Sequence, residues 1–215
     1  MTTVISAQHR IARLSPVAVV ASTLVVAACT GTTTAHQHTT AASPDQLLLS
    51  VEEVRALAEF EPLSADGSPV LSEPQPDPMA TGACKAVLDQ QVIFGTDVDD
   101  FRAASYGAAT DTGPGQIRGV AIVTQAIGRF PSTESARSAF DRLAPAIEEC
   151  NQLQVKNYEY DVHNIGGNTL SLHSNVADIV DRVDGATLVH VSVVGLPHSG
   201  RIAEDVVQRI GDRIP

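Results

Sequence analysis

The sequence predicts an α+β fold: a mostly antiparallel sheet with helices packed on one face, stapled by one disulfide. Three observations carry this. Apolar residues alternate with polar ones over most of 157–194, the signature of half-buried strands. Helical spacing replaces that period in three separate places. Two cysteines, Cys84 and Cys150, remain once a third, Cys29, is assigned to the N-terminal segment.

The first helix starts at Ser50-Val51-Glu52-Glu53, which reads as a capping box, and Val51, Val54, Leu57 and Ala58 follow on one face. Residues 61–82 hold five prolines and read as a long irregular segment ending near Cys84. Gly119–Ile127 (GVAIVTQAI) is apolar on both alternating faces and reads as a central strand. Pro131-Ser132 ends it. Ser132 is a good N-cap for a helix whose Ala136, Ala139, Phe140, Leu143, Ile147 and Cys150 share one face, with Pro145 expected to kink it or end it early. Tyr158, Tyr160 and Val162 then alternate with polar residues, Gly166-Gly167 marks a turn, and Leu170 and Leu172 alternate again. Residues 176–183 and 186–194 form the best hairpin, around Asp184-Gly185, with Val180 expected opposite Val189. Ile202, Val206, Ile210 and Ile214 line a closing helix. The predicted order is helix, strands, helix, four strands, helix.

The N-terminus predicts export. Arg10 and Arg13 precede an uncharged apolar run from Ser15 to Ala28, a pattern of secretory signal peptides, and the run is short for a membrane span. Val26-Ala27-Ala28-Cys29 at its end resembles the lipobox of bacterial lipoproteins. The resemblance implies cleavage before Cys29 and lipidation of its thiol, and hence a protein anchored by lipid on the extracytoplasmic face of the cell membrane. The expected organisation is a signal peptide at 1–28, the lipidated Cys29 with a Thr-rich tether to residue 43, and a domain at 44–215. His36 and His38, in the tether, read as solvated linker.

Removing residues 1–28 takes two of the 14 basic residues and none of the 25 acidic ones, leaving a charge of −13 with His neutral. That sign repels phosphate backbones and argues against nucleic acid as a partner. Outside the cytoplasm, Cys84 and Cys150 are most simply one disulfide. The alternative is a zinc site, which needs neighbouring ligands, and no other Cys lies near either one.

Four stretches carry a family likeness: LLLSVEEVRAL (47–57), VTQAIGRFPSTESARSAFDRLAPAIEEC (123–150), TLVHVSVVG (187–195) and the C-terminal amphipathic helix. Together they resemble the extracellular sensor domain of mycobacterial receptor Ser/Thr kinases of the PknH type. The resemblance implies an α+β domain with a ligand cleft, a helix–sheet disulfide and a cell-envelope setting.

Catalytic motifs are missing from the sequence: it has no G-x-S-x-G, no H-E-x-x-H and no phosphate loop. No catalytic residue, metal ligand or cofactor is therefore assigned. Asp99-Asp100 and Glu148-Glu149 read as solvated surface. If the valines of 186–194 face the core, His190 and Ser192 face away, and the same parity turns Ser171, His173, Glu159 and Asp161 outward. This predicts one polar sheet face on which His173, His190, Glu159 and Ser192 are candidate ligand-binding residues, beside a bland solvent-face reading. A binding or sensing module with an unknown small-molecule or envelope ligand is the leading expectation. An envelope scaffold with a protein partner is second, and an exposed apolar patch would favour it. A hydrolase is third, and it would need a buried nucleophile beside a His.

Overall fold

The computed structural model describes residues 42–65, 67–110 and 119–215. The signal peptide, Cys29 and nearly all of the tether lie outside them.

Six antiparallel strands form one sheet in the order β1-β2-β6-β5-β4-β3. They are β1 (Asp100–Thr110), β2 (Gly119–Arg129), β3 (Asp161–Ile165), β4 (Thr169–His173), β5 (Ala177–Asp184) and β6 (Thr187–Val194). The helices are α1 (Pro44–Leu47), α2 (Val51–Ala58), α3 (Lys85–Leu88), α4 (Gln90–Phe94), α5 (Thr133–Asp141), α6 (Leu143–Gln152) and α7 (Ser199–Gly211), with a 3-10 turn at Gly82–Cys84. The α+β class and the antiparallel sheet are as expected.

The layering is different from the expectation of helices on one face. One core packs Val54, Ile202, Val206 and Ile210 of α2 and α7 on Val123, Val180, Val189, Val191 and Val193. A second packs Ala136, Phe140, Leu143 and Ile147 of α5 and α6, with Ile93 and Phe94, on Ala126, Leu170, Leu172, Ile179 and Leu188. The sheet is therefore covered on both sides. Strand β6 shows why the sequence misleads. Its TLVHVSVV alternates valine with His and Ser, which imitates a wet face, yet all of Thr187–Val193 is buried. The leucines of β4 face the second core, opposite to the valines.

Local signals hold where caps and turns decide. Ser50 accepts from the Glu53 N–H at 3.4 Å, and Glu53 accepts from the Ser50 N–H at 2.9 Å. Ser132 caps α5 by accepting from the Ser135 N–H at 3.1 Å. The long predicted helix breaks at Arg142, which separates α5 from α6. Pro145 accounts for the break: it has no N–H for the carbonyl of residue 141, and its ring crowds that carbonyl. Within the first turn of α6 neither defect matters.

The strand expected around Tyr158–Val162 begins only at Asp161, because Asn151 captures the backbone of Tyr160. Its Oδ1 accepts from the Tyr160 N–H at 2.9 Å and its Nδ2 donates to the Tyr160 carbonyl at 2.8 Å. In the β5–β6 hairpin Asp184 pairs with Thr187, so the turn is Gly185-Ala186 and not Asp184-Gly185. Gly185, at φ +54°, occupies the first central position, where a type II′ turn places glycine. The register moves by one pairing step, and Val180 opposes Val191. Each face keeps its residues.

Cys84 and Cys150 form a disulfide, with Cα atoms 4.7 Å apart. It joins the 3-10 turn to α6, so it links two helical segments and not helix to sheet. Strand β1 has no counterpart in the sequence reading. Its outer edge is closed at two points: Ser64 and Gly107 exchange two backbone hydrogen bonds of 2.9 Å, and Leu71 pairs with Ala103 at 2.8 and 3.0 Å.

Candidate functional site

On the α5–α6 side, the helices cover β4, β5 and the near half of β6 and β2. The far ends of β1, β2 and β6 are bordered instead by the segment around Gln75–Pro78 and by Leu88 and Gln90. A cleft of about 330 Å³ lies between them, and Ser105, Thr124, His190 and Ser192 line it from the strands. The register builds this floor. Thr124 pairs with Ser105 on one side and Ser192 on the other, giving a hydroxyl row across three strands. One step along, Ala126 pairs with His190, and His190 pairs with Asp181. The Ser105 and Thr124 hydroxyls bond each other at 2.9 Å.

The His190–Asp181 pair is the least ordinary feature of the core. Both side chains are buried, at 2 % and 0 % exposure, and Nδ1 lies 2.8 Å from Asp181 Oδ1. A carboxylate can only accept, so Nδ1 carries the proton shared with Asp181, and Nε2 is an acceptor in the neutral ring and a donor in the protonated one. Asp181 Oδ2 is buried without a partner. Leaving one carboxylate oxygen unsatisfied costs stability, so the strand sequence ADIVDRVD is poor as pure core. Asp77, in the cleft wall, accepts from the Tyr158 hydroxyl at 3.1 Å and from the Met79 N–H at 2.9 Å. Burial, then this bond to Asp77, pushes the Tyr158 phenol up to about 12.

The four candidate ligand residues do not share a face. His190 and Ser192 sit together in the cleft. His173 and Glu159 line a separate hollow of about 320 Å³ with Asn151, Asp161 and Ser174. His173 lies on the α7 side of the sheet: its partner Asp178 pairs with Val193 of the first core. Its Nδ1 is 2.9 Å from Asp178 Oδ1, and Asp178 Oδ2 accepts from the Ser199 hydroxyl at the start of α7. The expected common face fails because Leu172 and the β6 valines belong to different cores, so parity counted from each gives opposite sides. Among the described residues no three His, Cys, Asp or Glu side chains gather as a metal site would need.

Sequence reasoning missed Asp181. The signal was present as an acid between Ile179 and Val183 on the apolar side of β5, but the slipped register set Ile179, not Asp181, opposite His190. A further hollow of about 560 Å³ lies between the end of α4 and α5. Its polar groups are largely spent on structure, with Ser132 and Ser135 capping α5 and Arg142 donating to the Ser138 carbonyl.

A family model, the PknH-like extracellular domain, matches residues 39–213. The chain belongs to this family. Among solved structures, the crystal structure of the extracellular domain of PknH from Mycobacterium tuberculosis superimposes with a TM-score of 0.57 at 18% identity, covering 78% of this chain and 94% of that one. At that identity the likeness speaks for the fold, and the six-stranded sheet with its flanking helices agrees with it. No curated protein matches the chain. Membership in a family of extracellular domains agrees with the oxidised Cys84–Cys150 pair.

Proposed function

We propose that this chain is a lipid-anchored, sensor-like binding protein of the cell envelope, without catalysis of its own, and that its ligand sits in the His190 cleft. The observation that carries the reading is a buried His190–Asp181 pair at the floor of an open, hydroxyl-lined cleft. A protein tolerates such a pair in its core where something is gained by holding one imidazole rigid, and a rigid scaffold with few placed polar groups is what a ligand site needs. Anchoring rests on Val26-Ala27-Ala28-Cys29.

The hydrolase alternative asks for a nucleophile beside the histidine. Asp181 on Nδ1 is the orienting contact such a mechanism would use, but among the described residues no hydroxyl is hydrogen-bonded to His190 Nε2, and those of Ser105 and Thr124 are bonded to each other. This supports binding over acyl transfer. Native mass spectrometry of chain purified from its own envelope tests the binding reading, which predicts a retained small molecule that is lost in Thr124→Val with Ser192→Ala. Cys29→Ala tests the anchor. An acylated, normally processed mutant would refute it.

A further inference from the structure

We infer that the ligand is an uncharged amphiphile, with an alkyl chain along the β1–β2 floor and a hydroxyl-bearing head at Thr124, Ser192 and His190. This rests on the binding reading above and adds the chemical class. The cleft does not end at Ser105 and Thr124. Both residues also line a trough of about 570 Å³ that continues toward the far ends of β1 and β2.

The two compartments differ in chemistry. Ser64 and Ser68 border the trough at the β1 edge, and its floor consists of Gly107 and Ala109 from β1 with Val120 and Ile122 from β2. Small side chains on one strand and branched ones on the other leave a shallow apolar channel. Val120 is 55% exposed, so a covering chain would remove apolar surface from water. From Val120 to Thr124 the channel runs four residues, about 13 Å of strand.

At Thr124 the lining turns polar, with the hydroxyls of Ser105, Thr124 and Ser192, the Gln90 amide and the His190 imidazole. A hydroxyl suits His190 Nε2 in either ring state, donating to the neutral imidazole and accepting from the protonated one. Neither compartment is lined by Lys or Arg among the described residues, and Asp77 is the acidic group present. An anionic head would find no counter-charge and a carboxylate nearby. Asp77 keeps its charge, but its oxygens are turned to the Met79 N–H and the Tyr158 hydroxyl in the wall, and Asp181 is sealed behind His190, so the strand floor itself presents hydroxyls and an imidazole to the head.

Isothermal titration of the full chain with n-alkyl glucosides from hexyl to decyl, each below its micelle concentration, tests the class. Affinity should rise about fourfold per methylene until the chain outruns the floor. Ile122→Gln, at a half-buried position, should flatten that dependence. Thr124→Val with Ser192→Ala should weaken every member at least tenfold, with each variant still folded and its melting temperature lowered by no more than about 5 °C. Equal or tighter binding of alkyl phosphates or alkyltrimethylammonium ions of matched length would overturn the uncharged head. A flat chain-length series in the unmodified protein would overturn the apolar channel. No glucoside binding at all overturns the class: if the chain still retains a molecule from its envelope, the binding reading survives alone, and if it does not, both fall.

Discussion

Removing the Cys84–Cys150 link by Cys84→Ala with Cys150→Ala should destabilise the domain strongly. The bond closes a loop of 66 residues. In the chain-entropy model the denatured ensemble then gains about 14–15 cal/mol/K on opening, or roughly 4 kcal/mol at room temperature. For a domain of this size 1 kcal/mol moves the melting temperature by roughly 2–4 °C, so the expected fall is on the order of 10–15 °C. Alanine is the right replacement because both sulfurs are fully buried, and serine would add buried hydroxyls to the account. The structure also says where the loss is felt. The disulfide is the covalent tie between α6 and the turn that leads into α3 and α4, which wall the cleft. Differential scanning calorimetry should show the lower midpoint, and hydrogen exchange should show residues 75–94 opening before β5 and β6. A midpoint within about 3 °C of the native protein would refute the reasoning, since the loop-closure term would then have to be cancelled elsewhere.

Three further outcomes follow from named contacts. His190→Ala strands the buried Asp181 carboxylate and should cost about 3–5 kcal/mol in urea unfolding, whereas the half-exposed His173→Ala should cost under about 1 kcal/mol. Gly128→Ala puts a methyl 2.4 Å from Phe94 Cδ1 and 3.0 Å from Val98 Cγ2, an overpacking worth about 1–3 kcal/mol by the same measurement. Tyr158, with its phenol raised to about 12, is neutral in both states below the ordinary value near 10. Its contribution to stability is therefore present up to that pH and lost as pH rises toward 12. Absorbance titration at high pH should lose its latest-ionising step in Tyr158→Phe.

What was legible in the sequence was what local chemistry decides. The Ser50 box, the Ser132 cap, the break forced by Pro145 and the α7 stripe each depend on a few adjacent residues, and each appears in the structure. Strand β1 was invisible because DFRAASYGAAT is rich in Ala and Gly, which carry little strand signal. The two-sided burial is hidden in the sequence because His190 and Ser192 on β6 imitate a solvent-exposed face. Buried polar groups are tolerated once paired, and the partner, Asp181, came from a register that one turn residue decides.

The same two-sided burial explains why a cleft exists at all. The second core is built by two short helices, α5 and α6, broken at Arg142, and their apolar residues reach Leu170, Leu172, Ile179 and Leu188. Strands β1 and β2 run 11 residues each, longer than that layer can cover. On the α7 side, α1 and the Leu49 segment close the excess. Gln125 reaches into that core and secures the segment, accepting from the Leu49 N–H at 2.9 Å and donating to its carbonyl at 2.7 Å. On the other side the irregular segment is held to the β1 edge at Ser64 and Leu71 and crosses the sheet only at Gln75–Pro78, where it walls the cleft. The uncovered strand ends are thus a consequence of where one irregular segment is pinned. Lengthening the helical layer would bury Val120 and Ile122, and would remove the cleft with them.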